Sequence, residues 1–168
     1  MWAAREGHTN CANLLVQKES GMRSRCDVTA LMIAASNGHA DIVKLLEKEA
    51  GMKDKDGWTA LMWAAHEGHA NCASLLAEKE SGMRNEREWT ALMIAASGGY
   101  ADIVKLLLEK EARLRNNVGS TALEWAARNG HTACAALLAD KEKDINEGFA
   151  AGMAAAEGHH DIVRLLSE

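Results

Sequence analysis

Apolar residues recur along this chain in blocks of about thirty residues, and each block has the same internal rhythm. Thr-Ala-Leu opens a block at Thr29, Thr59, Thr90 and Thr121, and each is followed by a tandem Ala pair. A Gly closes the first half of every block, at Gly7, Gly38, Gly68, Gly99, Gly130 and Gly158, with spacings of 31, 30, 31, 31 and 28. Self-similarity at such a period is the mark of a repeat architecture. In the block from Thr59, Ala60 to Glu67 reads as a short first helix capped by Thr59. Gly68-His69 ends it, because glycine takes the left-handed conformation of a helix stop without strain. A second helix runs from about Asn71 to Lys79, with Cys72, Leu75 and Leu76 at i, i+3 and i+4 on one face. Gly82 stops that helix, and Gly21 and Gly51 hold the same place in their blocks. The next apolar residue (Met22, Met52, Met83, Leu114 or Ile145) is expected to tuck back beneath the pair.

A two-helix block cannot bury its own apolar face, so stacking on neighbours must complete the core. The Ala pairs let first helices approach closely, and Met32, Met62 and Met93 read as a core ladder. No heptad persists between the Gly breaks, which excludes one long coiled coil. The expectation is a single domain over 1–168, with units at about 1–25 (partial), 26–55, 56–86, 87–116, 117–146 and 147–168 (divergent). The chain starts inside a first helix and ends just after a second, so the expectation is either an excerpt of a longer array or a receptor for further domains.

Composition narrows the class. Of 168 residues, 31 are Ala and none is Pro; 48% are hydrophobic but only 4% aromatic. That favours closely packed helices, and so an all-α fold, over a sandwich or barrel. A net charge of −5 without a basic stripe argues against nucleic acid. No run of apolar residues is long enough to span a bilayer, and no secretory leader is visible. Cys11, Cys26, Cys72 and Cys134 form no C-x-x-C pair and no disulfide framework, so a reducing, cytoplasmic setting is expected.

The segment D-K-D-G-W-T-A-L-M-W-A-A-H-E-G-H, from Asp54 to His69, resembles the ankyrin repeat pattern D-x-x-G-x-T-P-L-H-x-A-A-x-x-G-H. The I-V-x-L-L that follows in that family is matched at Ile42 to Leu46 and at Ile103 to Leu107. The resemblance runs over nearly the whole chain. It implies an ankyrin-repeat solenoid of antiparallel helix pairs with projecting loops, and protein binding on the concave side. The family's T-P-L-H is T-A-L-M here, so the hydrogen bonding of that His is lost. Units are 30 or 31 residues long rather than about 33, so the loops should be short. Phe149 replaces the capping Thr of the last unit, which should therefore dock differently.

The candidate chemistry is sparse. H-x-x-C recurs at His8/Cys11, His69/Cys72 and His131/Cys134, but equivalent pairs lie roughly 20 Å apart if helices pack about 10 Å apart, too far for a four-ligand zinc site or a disulfide. A turn His beside a small buried Cys is the simpler reading. His66, His159 and His160 are additional, and His66 sits at a variable outward position where it could titrate against a partner. The Lys-Glu pairs Lys18-Glu19, Lys48-Glu49, Lys79-Glu80 and Lys110-Glu111 read as a solvated face of salt bridges. No phosphate loop, dinucleotide fingerprint or nucleophile elbow occurs, and Gly98-Gly99 is a helix-break variant. No cofactor, metal site or enzymatic activity is expected.

A second period of about 62 residues sets Trp2, Trp63 and Trp125 opposite Cys11, Cys72 and Cys134, whereas Ile33 and Ile94 stand opposite Ile-Val. Conserved core volume would produce this, with each Trp touching its Cys. The positions the repeat leaves variable are the binding candidates. They are Arg25, Val28, Lys55, Asp56, Trp58, His66 and Glu67, then Glu86, Arg87, Trp89, Ser97, Asn117, Ser120, Arg128 and Asn129. Trp58 and Trp89 precede Thr in adjacent units and are expected to be neighbours, either as exposed anchors near Arg or as structural cover. The expected function is a monomeric scaffold for a protein partner. The alternative is a regulatory or autoinhibitory array attached to an enzyme such as a kinase.

Overall fold

The structure, a computed structural model, describes residues 1–19, 21–142, 144–145 and 148–167, and the side chains of all of these except 16–19. The described residues are helical or in turns, with no strand. They group into two compact units, Met1–Glu86 and Arg87–Glu168. Unit 1 holds α1 (Trp2–Glu6), α2 (Thr9–Glu19), α3 (Ala30–Ser36), α4 (Ala40–Leu45), α5 (Ala60–Glu67) and α6 (Ala70–Glu80). Unit 2 holds α7 (Ala91–Gly98), α8 (Ala101–Glu111), α9 (Ala122–Arg128), α10 (Thr132–Glu142), α11 (Phe149–Ala156) and α12 (His160–Ser167). Within each unit, first helices pack on first helices and second on second: α1 on α3 on α5, and α8 on α10 on α12. The all-α stack of helix pairs expected from the sequence is thus what the chain forms.

Local chemistry sets the helix starts. Thr29, Thr59 and Thr90 are fully buried, and each hydroxyl accepts the backbone N–H of the Met three residues on. Such a cap contributes about 1 kcal/mol. Met32 answers with its sulfur, which accepts from Thr29 N at 3.4 Å. Thr121 makes no side-chain cap. Behind the caps, Leu31, Met32, Leu61, Met62, Leu92 and Met93 are at most 1% exposed, and the Ala pairs between α3 and α5 and between α7 and α9 are wholly buried. Met22 departs from expectation: it is 57% exposed, while Met52 and Met83 are half-buried.

The Gly-His turns lock neighbouring pairs together. Gly38 and Gly99 take φ of 76° and 80°. A Cβ on either would sit 2.8 Å or 2.6 Å from the ring of His69 or His131. Those rings reach back to the preceding pair, with His69 Nε2 at 3.1 Å from Ser36 O and His131 Nε2 at 3.0 Å from Ser97 O. His159 is therefore no extra histidine: its Nε2 lies 3.1 Å from Arg128 O, in the same role.

The Lys-Glu reading needs correction. Glu49, Glu80, Glu111 and Glu142 are 1–3% exposed, not solvated. Glu80 accepts Gly51 N–H at 2.8 Å and Leu61 N–H at 2.6 Å, and Glu49 accepts Gly21 N–H and Leu31 N–H at 2.8 and 2.9 Å. In unit 2, Glu142 takes Arg113 N–H and Leu123 N–H at 2.9 and 2.8 Å, and Glu111 takes Leu92 N–H at 2.7 Å. Each carboxylate lies at the positive end of its own first helix, where free N–H groups and the macrodipole favour an anion. Only the lysines behave as surface ions, Lys79 to Glu47 at 2.9 Å and Lys141 to Glu109 at 3.0 Å. The Lys18-Glu19 pair lies outside the described side chains.

One unit reaches the same bond with one residue fewer. Leu31 to Glu49 is a residue shorter than Leu61 to Glu80, and α4 ends in a 3₁₀ turn over Glu47–Glu49. Three residues at about 2.0 Å rise span what four α-helical residues at about 1.5 Å would. The tighter winding carries the carboxylate to its place.

Candidate functional site

The loops that precede each first helix are built on one polar side chain. In unit 1, Ser24 Oγ accepts Cys26 N–H and Val28 N–H at 3.2 and 3.1 Å. Asp54 Oδ1 accepts Asp56 N–H and Trp58 N–H at 3.0 and 2.8 Å. In unit 2, Asn116 Oδ1 accepts Val118 N–H and Ser120 N–H at 3.2 and 2.9 Å. Short polar side chains that bond their own backbone two and four residues on make such tight loops. Successive loops are tied by one backbone bond each, Lys55 N to Cys26 O at 3.2 Å in unit 1 and Asn117 N to Arg87 O at 3.3 Å in unit 2.

Each unit carries an aromatic cluster beside these loops. In unit 1, Trp58 packs on Trp63 with ring centroids 4.9 Å apart, and His66 meets both rings edge-on at 5.6 and 6.3 Å. Trp63 Nε1 donates to Asp54 Oδ2 at 3.2 Å, and His66 Nδ1 lies 2.9 Å from Glu67 Oε1. In unit 2, Trp89 packs on Trp125 at 4.5 Å, and the Arg128 guanidinium lies over the Trp125 ring at 5.6 Å. Asn129 Nδ2 donates to Ser97 O and Oγ, both at 2.9 Å. Such ring pairs contribute about 0.5–1.5 kcal/mol beyond burial.

None of the fifteen sequence-derived candidates is buried. Arg25, Lys55, Asp56, His66, Glu67 and Glu86 in unit 1 are exposed, as are Arg87, Asn117, Arg128 and Asn129 in unit 2. Val28, Trp58, Trp89, Ser97 and Ser120 are partly covered. The structure brings Trp58 to His66, Trp89 to Arg128 by way of Trp125, and Ser97 to Asn129. Trp58 and Trp89, expected as neighbours, belong one to each unit, and each has its own tryptophan partner.

Sequence reasoning missed the role of Trp63 and Trp125, which it assigned to the core beside cysteine. Trp2, the first of that series, is 66% exposed against the His8 ring, with Cys11 exposed as well, so those two share no core. Trp63 and Trp125 are partly exposed and meet Trp58 and Trp89. The available signal was the period itself: a Trp at a first-helix position faces a loop Trp five residues earlier in one unit, and thirty-six residues earlier in the other.

Burial pushes the thiols of Cys72 and Cys134 up to about 11, so both stay protonated at neutral pH. Their histidine partners are engaged with backbone carbonyls, as described above. Among the described residues no three His, Cys, Asp or Glu side chains are grouped to hold a metal. Among them, too, no helix is long and apolar enough to cross a membrane.

A family model described as ankyrin repeats (3 copies) matches the chain over residues 1–84, 43–117, 75–148 and 112–168. No curated protein matches it.

Proposed function

Because this chain belongs to the ankyrin-repeat family, whose repeats are in general protein–protein interaction modules, we propose that it is a non-catalytic scaffold. It grips a protein partner with the loops before each Thr and the exposed flank of the first helices. One observation carries the reading: the repeat is near-constant where side chains are buried and variable at the fifteen candidates, none of which is buried. Variable loops on a rigid frame are where binding residues concentrate. Trp58 with His66 and Trp89 with Arg128 supply the aromatic and cationic anchors typical of interface hot spots. An interface of standard size, about 1,600 Å² in total, would need only three or four repeats. The same reading makes the chain a monomer of the cytoplasm, since its two buried thiols serve as small apolar filler rather than as disulfides.

Crosslinked capture from cell extract tests this, with the intact chain and its Trp58→Ala/Trp89→Ala variant as baits. The expected result is a specific protein recovered by the parent, at least about tenfold less by the variant, with helicity unchanged by circular dichroism. Recovery of no specific protein by the parent overturns the reading. A variant that binds normally but melts earlier assigns the tryptophans to structural cover instead.

A further inference from the structure

Within a first helix, the residue three places after the large side chain changes with it. Trp2, Trp63 and Trp125 are followed by Arg5, His66 and Arg128, whereas Ile33 and Ile94 are followed by Ser36 and Ser97. Three places on is a neighbouring position on the same helix face. Two of the tryptophans thus stand next to a permanent cation, and in unit 2 the Arg128 guanidinium lies over its ring at 5.6 Å. A cation is attracted to the face of an aromatic ring, and most strongly to an indole. In α5 the same place holds histidine, the side chain type whose charge changes near neutral pH. Its surroundings suit that charge. His66 meets the rings of Trp58 and Trp63 at 5.6 and 6.3 Å, and its Nδ1 lies 2.9 Å from Glu67 Oε1. Two indoles and a carboxylate hold an imidazolium more firmly than a neutral ring.

Other charged groups of unit 1 surround the cluster. The loop before α5 brings Asp54, whose Oδ2 takes the Trp63 indole, with Lys55 and Asp56 exposed after it. The adjoining loops bring Arg25 and Asp27 before it and Glu86 after it. α3, packed on α5, carries no titratable side chain. α6, also packed on α5, has Glu78, Lys79 and Glu80 at its far end, and His69 stands before its start with Nε2 on Ser36 O. Carboxyl groups in general titrate about two units below histidine, and lysine and arginine several units above it. A response of the indoles near neutral pH is therefore a histidine response, and His66 is the histidine that meets both rings.

We propose that His66 is a proton-operated cover on the Trp58 anchor. Neutral, the ring yields to a partner group that stacks on Trp58. Protonated, it is the third cation of the series, held across Trp58 and Trp63 and beside Glu67, and a partner must displace it. Acidification therefore loosens the partner's hold. The inference rests on the scaffold reading only for what the cover regulates, so the cover itself is tested without a partner. The intact protein is labelled with 5-fluorotryptophan and followed by fluorine NMR between about pH 8 and about pH 5, its signals assigned by single Trp→Phe changes. The Trp58 and Trp63 signals should move with the midpoint of the His66 ring protons, while those of Trp89 and Trp125 stay still. Broadening of the Trp58 signal by 4-hydroxy-TEMPO, a neutral soluble radical, should fall about two- to fivefold on acidification, the worth of an exposed cation–indole contact. His66→Arg makes the cation permanent, as in α9, and should flatten both responses. Arg128→His should install a titration of the same kind at Trp125. Indole signals that do not follow His66, a titration that survives His66→Arg, a still Trp125 in Arg128→His, or a Trp58 ring equally open to the radical at both ends of the range overturns the proposal. A working cover on a chain that captures no protein overturns the scaffold reading alone.

Discussion

Each aromatic cluster sets a pair of tryptophans beside a loop closed by one short polar side chain, and that side chain differs between the two by a single head-group atom. In unit 1, Asp54 closes its loop with Oδ1 and accepts the Trp63 indole with Oδ2. In unit 2, Asn116 closes its loop in the same way, but its second head-group atom is an NH₂. Among the described residues, Asn116 Nδ2 and Trp125 Nε1 are both buried without a hydrogen-bond partner. Two donors stand where unit 1 has a donor and an acceptor. A buried unmet polar group costs about 1–3 kcal/mol. The pairing of the rings differs too. Trp58 meets the Trp of its own first helix, while Ser120 stands before α9 in place of a Trp and Ile94 replaces the Trp of α7, so Trp89 pairs with the Trp of the next helix pair. A loop anchor in unit 2 thus ties two pairs together, whereas in unit 1 it rests on one.

The largest effect should come from what the units share rather than from what separates them. Glu80→Ala in unit 1 and Glu142→Ala in unit 2 each strip one buried and one part-buried N–H group of their acceptor, and each should cost about 2–4 kcal/mol by urea denaturation. A loss within about 0.5 kcal/mol would return these residues to the solvated face that their sequence suggests. Exchanging the distinctive residue gives the next effect. Asn116→Asp should stabilise by about 1 kcal/mol and Asp54→Asn should destabilise by a similar amount. If both changes destabilise, the missing acceptor at Trp125 is not what distinguishes the clusters.

The smallest effect is a pair of opposite pH responses, read from carboxyl NMR titrations. Burial raises the Glu80 carboxyl above the usual glutamate range, outweighing the N–H groups of Gly51 and Leu61 and the Thr59 hydroxyl. Its native state takes up a proton before the unfolded state does. It therefore adds stability below the usual glutamate pKa that is lost as pH rises through its folded value. Asp144 in unit 2 is lowered, first by its hydrogen bond from Arg113 at 2.9 Å. Its contribution is present above the usual aspartate pKa and lost as pH falls through the folded value. Being fully exposed, it should matter little and should weaken further in salt. Titration of both groups in their ordinary ranges would erase this contrast.

Periodicity made most of the frame legible in the sequence. Thr59, the Ala pair and Gly68 bounded α5 at Ala60 and Glu67, where it is found. Hydrophobic matching along one helix is a local signal, and caps and stops act within a turn. The buried glutamates were illegible for the opposite reason. Lys-Glu at a helix end is the usual dress of a solvated surface. Only the return of the chain brings Glu80 over a helix start nineteen residues earlier. The ring pairing was illegible for a similar reason: small residues opposite large ones suggested a shared core, and nothing local announced that the indoles of α5 and α9 also meet rings from loops.

The glutamate links carry a consequence for how such a chain can change length. Each carboxylate grips the start of its own first helix, and Glu49, Glu80 and Glu142 also grip the turn just upstream. Excising one complete period splices an identical grip onto an identical turn. Cutting out half a period strands an ion in the interior with nothing to hold. Variants of this architecture should accordingly grow or shrink in whole modules, and a recombination register set by the glutamate rather than by the loop would mark the tolerated junctions.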